Sequence, residues 1–289
     1  MWLDTIHVYP IKSTTGLAVP EAGVEPWGLA GDRRHMVVGP SGAMIGARRF
    51  PRLLSVEARP YGGGASGAGG ASGAGDGGEL IVTGPHAEPL KLIPDPGRRL
   101  RKVRIWDSVV QVKDVGDEAA AWFSDLLGRP VRVVWMDDPA RRPIVADPGH
   151  ERERVSLADN YPVHLTSLTS LDELNARIAA GAARRRAGPP PAPLAMARFR
   201  PNVVIGGVAE PFAEDGWTRV RIGTASFRTA RPCDRCVVAA VDPVTLEKGR
   251  EPIHTLAKYR KRDGLVWFGT HLIPDGEGAI TVGDQVTVE

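Results

Sequence analysis

Two cysteines stand among 289 residues, inside Arg231-Pro232-Cys233-Asp234-Arg235-Cys236 and ahead of the apolar run Val237-Val238-Ala239-Ala240-Val241. Sulfur acts as a nucleophile or soft-metal ligand in its thiolate form, which the guanidinium groups of Arg231 and Arg235 favour. A dithiol redox pair, a zinc knuckle and a single-sulfur site compete with the bland alternative of two buried small hydrophobes. A thioredoxin-like dithiol requires a helix after its first cysteine, whereas the Val/Ala run stopping at Asp242-Pro243 predicts a buried strand. A zinc knuckle lacks its second Cys pair, and none of the seven histidines falls at finger spacing. On an extended backbone an offset of three sends side chains to opposite faces. The expected arrangement is one sulfur facing a pocket and the other packed away.

The remaining composition limits the functional classes. A chain of 289 residues with 42% hydrophobic and 25% charged residues can build one large or two ordinary domains. A net charge of +3 and a pI near 9.0, with scattered arginines, do not indicate nucleic-acid binding. Two cysteines indicate a reducing compartment without a disulfide framework. Met1-Trp2-Leu3-Asp4 opens no secretory signal, and no apolar run reaches membrane-spanning length. A cytoplasmic protein with no membrane partner is expected.

The elements that must position the cysteines are short. The opening segment alternates, with Trp2, Ile6 and Val8 on one side, and reads as a half-buried strand ending at Pro10. Ile11-Lys12-Ser13-Thr14-Thr15-Gly16 follows as a polar turn; without preceding glycines it is no Walker motif. Gly28 to His35, which contains Arg33, is a second turn and feeds the strand 36–38. Strands are predicted at 53–58, 79–83, 90–93, 102–106, 109–115 and 131–136, with a hairpin turn at Asp107-Ser108. Asp117 is a candidate cap for a helix to Leu127, which Gly128 stops. Residues 62–78 are low complexity, built on a tandem Gly-Ala-Ser-Gly-Ala-Gly, and read as a flexible loop.

A charged, proline-broken stretch from Asp137 to Arg154 reads as the connection between domains 1–136 and 150–289. Asp159-Asn160-Tyr161-Pro162 precedes the strand 163–165. Ser170 with Glu173 offers a capping box for a helix carrying Leu171, Leu174 and Ile178 inward, which decays into Arg184-Arg185-Arg186 and the Pro-rich 189–193. Phe199-Arg200-Pro201-Asn202 leads to the strand 203–205, and strands 217–222 and 225–230 deliver the chain to the cysteines. Pro252 opens a short helix with Ile253, Leu256 and Ala257 inward, and residues 279–288 read as a hairpin. Many short strands and about three helices predict a mainly β (α+β), barrel-centred architecture.

Taken together these pieces resemble the MOSC family (molybdenum cofactor sulfurase C-terminal domain) with its own N-terminal β-barrel domain. Within that family, the bacterial MOSC oxidoreductases and the mitochondrial amidoxime-reducing component are the nearer likeness. The resemblance runs from Val8-Tyr9-Pro10-Ile11-Lys12-Ser13, through Phe199-Arg200-Pro201-Asn202 and Arg235-Cys236 with Val241-Asp242-Pro243, to Ile280-Thr281-Val282-Gly283-Asp284. It implies that Cys236 binds molybdenum, as a thiolate suits a soft metal. It further implies that Lys12, Ser13, Arg33, Arg200, Asn202 and Arg235, joined by Asn160, Tyr161 and Asp234, hold the phosphorylated pterin of the molybdenum–molybdopterin cofactor. Pyridoxal phosphate binding is implied only for the domain type.

The implied activity is reduction of small N-hydroxylated or N-oxygenated compounds, with electrons from an external ferredoxin or flavin-reductase type of donor, since no cysteine-rich ferredoxin module follows. Two alternatives stay open: a non-catalytic cofactor-binding or sulfur-carrier protein using Cys236, and a dithiol protein using both cysteines. The sequence departs from the family in the Gly-rich insertion and in Ser167-Leu168-Thr169-Ser170, which replaces a Ser-Glu-Ala-Ser.

Overall fold

The structure, a computed structural model, describes residues 1–61, 78–85, 87–145, 152–184 and 191–289. Its strand-rich architecture matches the mainly β reading. A long sheet runs in the order 286–288, 219–222, 225–234, 265–274, 163–167, 203–206, 2–8 and 17–19. Its interior is the apolar cluster of Leu3, Ile6, Val8, Val163, Leu165, Val203, Ile205, Val220, Phe227 and Leu272. Burying each such side chain contributes roughly 1.5–3 kcal/mol before the entropy of ordering it is charged.

The first strand, Trp2–Val8, pairs antiparallel with Val203–Gly206. Strand pairing therefore ties the first residues of the chain to its C-terminal half. This brings Tyr9 and Thr14 beside Phe199-Arg200-Pro201-Asn202: Tyr9 Oη donates to the Pro201 carbonyl at 3.0 Å and Arg200 Nη1 to the Thr14 carbonyl at 2.6 Å. A four-stranded sheet, ordered 35–38, 132–135, 108–114 and 100–105, and a three-stranded one, 57–60, 80–83 and 90–92, make the N-terminal body. The insertion 62–78 lies outside the described residues except for Gly78, as do Arg185, Arg186 and residues 189–190 of the Pro-rich stretch.

Several local expectations change. A register shift between Leu3 and Thr5 breaks the alternation, so Leu3 rather than Trp2 points inward with Ile6 and Val8. Pro51–Ser55 is a 3₁₀ helix and its strand starts only at Glu57, consistent with a proline that fixes φ and lacks an N–H. Residues 278–281 and 286–288 are not a hairpin: the first pairs with Glu21–Glu25 and the second with Arg219–Ile222. Val237–Ala240 is a 3₁₀ turn rather than a strand, with Cys236 at its head.

The helix starts differ from expectation, while the end of the first is as expected. α1 (Asp117–Leu127) stops at Gly128 in the left-handed region, yet Gly116 takes the cap position and Asp117 is bound to Arg132 at 2.6 Å. α2 (Leu168–Arg184) is capped by Ser167, whose Oγ accepts the Ser170 N–H at 3.2 Å. Ser170 is occupied with the buried Glu214 (2.8 Å), and Glu173 pairs with Arg177, so the expected capping box does not form. The stripe Leu171, Leu174 and Ile178 packs on Phe199, Leu256 and Phe268. In α3 (Ile253–Leu256), Leu256 is buried whereas Ala257 just beyond is exposed.

Candidate functional site

The strand Ala225–Asp234 carries Cys233 at its end and hands the chain to Arg235 and Cys236. Both thiols are free: Cys233 is buried at 5% exposure and Cys236 is half-buried. Arg235 is anchored between them and the core. Its Nη1 donates to Cys233 Sγ at 3.0 Å and its Nη2 to the Phe199 carbonyl at 2.7 Å, while its buried Nε has no partner. Burial pushes the Cys233 thiol up, but His164 and Arg235 outweigh it and bring the thiol below its ordinary value. Asp234 sits beside Trp267 on the neighbouring strand and is half-buried.

A second group surrounds Tyr9. The guanidinium carbons of Arg33 and Arg200 lie 4.2 and 4.3 Å from the Tyr9 ring centroid. Arg33 Nη1 donates to Asp32 at 2.5 Å and to Asn202 Oδ1 at 2.9 Å, and Arg200 Nη1 to the Thr14 carbonyl at 2.6 Å. Burial lowers Arg200 to about 10, and Arg33 adds to that against the opposing pull of Tyr9. Asn202, at 1% exposure, is an internal bridge: Oδ1 also accepts the His164 N–H, and Nδ2 donates to the His7 carbonyl.

Lys12 forms the third part. Its Nζ, 6% exposed as a residue, donates to the Leu157 carbonyl at 2.8 Å and to Asp159 Oδ1 at 2.6 Å. Burial lowers Lys12 to about 8 despite Asp159, and Arg142 and Arg33 add to the lowering. Ser13 and Asn160 are half-buried. Tyr161 is buried with its ring against His271, at 4.9 Å between centroids, and belongs to an apolar cluster with Ile144 and Ile273.

Backbone conformation links these parts. Seven non-glycine residues among those described have positive φ, and three of them are Ser13 (73°), Arg33 (46°) and Arg200 (54°). Such conformations cost energy and cluster where a site over-determines them. A cleft is lined by Arg200 with Tyr9, Thr15 and Arg198, together with Val238, Val241 and Pro243, which lie just past Cys236 in the chain.

The geometry limits the chemistry. Among the described residues no group of three or more His, Cys, Asp or Glu is placed to hold a metal. A metal on Cys236 therefore needs its other ligands from a molecule that carries them. The orphaned Arg235 Nε, the half-buried sulfur and the cations Lys12, Arg33 and Arg200 fit an anionic group with many hydrogen-bonding edges. Sequence reasoning did not select Tyr9, Asp32, Trp106, Asp159 or His164. Tyr9 and Asp159 stood inside quoted motifs, but their roles come from contacts made only in the fold.

Comparison with known proteins places the chain. Residues 152–287 match the MOSC domain family, and residues 1–130 match the MOSC N-terminal beta barrel domain. Mitochondrial amidoxime reducing component 2 of Rattus norvegicus is 30% identical over 306 residues, 98% of this chain and 82% of that protein. Mitochondrial amidoxime-reducing component 1 of Homo sapiens is 28% identical over 300 residues, 97% of this chain and 81% of that protein. The molybdenum cofactor sulfurase of Oryza sativa subsp. japonica is 27% identical over 301 residues, 99% of this chain but 34% of that longer protein.

Proposed function

Because the chain belongs to the MOSC family, with the MOSC domain and its N-terminal beta barrel domain both present, we propose that it is a molybdenum-cofactor-dependent oxidoreductase acting on N-hydroxylated compounds. The observation that carries this is the half-buried Cys236, which follows Arg235 and leads into Val238, Val241 and Pro243 on a cleft shared with Tyr9 and Arg200, while Arg33 and Arg200 both stack on the Tyr9 ring. The similarity to amidoxime-reducing components supports the substrate class. Converting N–OH to N–H takes two electrons and two protons and releases water. An external iron–sulfur or flavin donor provides the electrons.

When bound, the cofactor would supply the two-electron exchange that the reduction needs. The protein's own part is placement. Cys236 offers one soft ligand, while Arg33, Arg200 and Lys12 neutralise and orient the anionic end. Arg235, fixed by Cys233 and the Phe199 carbonyl, keeps its Nε free of any partner among the described residues and precedes Cys236 directly in the chain. The apolar residues Val238, Val241 and Pro243 shield one wall of the cleft from water.

Elemental analysis of freshly purified protein, paired with benzamidoxime reduction under an artificial electron donor, tests the proposal. Wild type is expected to hold stoichiometric molybdenum and turn over, and Cys236→Ala to lose activity. Full activity in Cys236→Ala, or wild type loaded with cofactor yet free of molybdenum, refutes it. Metal held without turnover points to the cofactor-binding or carrier alternative, which the likeness to the sulfurase favours.

A further inference from the structure

We propose that Asp159 and Trp106 form a latch on the anion site: the Asp159 carboxylate occupies Lys12 in place of an incoming phosphate group, and the Trp106 indole holds it there until that group displaces it. The inference rests on Lys12 being an anion-binding residue, as in the reading above.

One oxygen atom carries the contact. Asp159 Oδ1 accepts from Lys12 Nζ at 2.6 Å and from Trp106 Nε1 at 3.0 Å. The two sides differ sharply in exposure: the Lys12 side chain is 7% exposed and that of Asp159 61%. The ammonium is thus fixed within the protein, and its counter-ion sits on the solvent side where a ligand arrives. An ammonium has three donors, one of which the Leu157 carbonyl takes permanently. The bond to Asp159 is the one that a phosphate oxygen can replace with a like charge-assisted bond.

The surrounding chain is built so that only the carboxylate needs to move. The buried Arg142 donates to the Ser156 and Ala158 carbonyls through Nη1 and to the Asp159 carbonyl at 2.8 Å through Nη2. Leu157 N–H and Ser156 Oγ both donate to the Arg33 carbonyl at 2.9 Å. The strap 156–159 is therefore clamped, and release is a side-chain rotation of Asp159. Arg33 lies close enough to Asp159 to act on its charge, so the displaced carboxylate vacates a place already favourable to an anion.

Trp106 has no evident structural reason to be where it is. It stands at the tip of the hairpin joining strands 100–105 and 108–114, is 43% exposed, and takes φ 51°. A bulky aromatic residue adopts that conformation at a cost. The Arg48 guanidinium stacks 4.8 Å from its ring, and the indole N–H reaches across 53 residues of sequence to Asp159. The tip of an N-terminal hairpin thereby senses the state of the anion site.

The test measures binding of inorganic pyrophosphate to the full chain purified free of cofactor, by calorimetry, for wild type, K12A, D159N and W106F. D159N is expected to bind about three- to tenfold more tightly, since the internal competitor for Lys12 is gone. W106F changes no charge, and loosening the tether is expected to tighten binding about two- to threefold. The Trp106 indole N–H resonance, identified by its absence from W106F, is expected to shift at saturation. Wild-type affinity in both D159N and W106F, with K12A abolishing binding, overturns the latch and leaves the anion site standing. Tightening in D159N alone, with a static indole resonance, overturns the role of Trp106, because lost charge then accounts for the effect. Undiminished binding by K12A overturns the reading of Lys12 itself.

Discussion

Removal of the Asn202 side chain tests whether the site is built on an internal bridge. Its amide makes three bonds in a place only 1% exposed: Oδ1 accepts from Arg33 Nη1 at 2.9 Å and from the His164 N–H at 3.1 Å, and Nδ2 donates to the His7 carbonyl at 3.1 Å. Alanine leaves the His164 N–H without its partner and removes one donor from the His7 carbonyl. Each such buried loss costs about 1–3 kcal/mol, and the lost Arg33 bond about 1 kcal/mol more. The expected destabilisation is about 3–7 kcal/mol, or a fall of roughly 6–28 °C in thermal midpoint. Asn175 is the internal control. It bridges Leu194 through the same amide atoms, at 2.8 and 3.2 Å, but is only half-buried, so water replaces much of what alanine removes and the loss is expected near 1 kcal/mol. Urea or thermal unfolding followed by tryptophan fluorescence reads both variants. Equal losses for the two, or a loss under about 1 kcal/mol for Asn202→Ala, refute the bridge.

Acid sensitivity follows from His35. It is buried at 1% exposure, neither ring nitrogen has a partner among the described residues, and burial followed by Arg34 depresses its pKa to about 3. The unfolded chain then binds a proton that the folded chain refuses, so the stabilisation is present above the unfolded value near 6.5 and is lost as pH falls toward 3. Between pH 7 and 5 the loss is about 2 kcal/mol, and His35→Leu is expected to remove that part of the slope; an unchanged pH profile refutes it. Gly269 has φ +76°, and a Cβ there would lie 2.5 Å from the Leu165 carbonyl oxygen and 2.6 Å from His164 Nε2. Gly269→Ala is expected to cost about 3 kcal/mol in the same unfolding assay, and a cost under 1 kcal/mol shows that the neighbouring strand yields.

What the sequence disclosed, and what it hid, divides along the range of the interactions. Strands with turn residues at both ends, such as 100–105 and 108–114, were legible because alternation and turn chemistry are local. Cys233 is buried and Cys236 half-buried, but the strand ends at Asp234 and Cys236 heads a 3₁₀ turn, so the alternation of an extended chain is not what separates the two sulfurs. Elements set by distant partners were not legible. Residues 278–281 and 286–288 look like a hairpin by alternation alone, yet each satisfies its backbone on a different strand. Ser170 has the spacing of a cap, but Glu214, 44 residues away, takes its hydroxyl. The site shows the same division more finely. Lys12, Arg33 and Arg200 were visible as residue types in motifs, whereas their left-handed or buried setting was not. That setting is what gives them chemistry. A solvated arginine in a turn is unremarkable, but Arg33 and Arg200 are held on one tyrosine ring in costly backbone conformations, and a chain retains such strain where the surrounding contacts over-determine it. Lys12 is desolvated with a single exposed counter-ion, which leaves it poised to exchange that carboxylate for a ligand's charge.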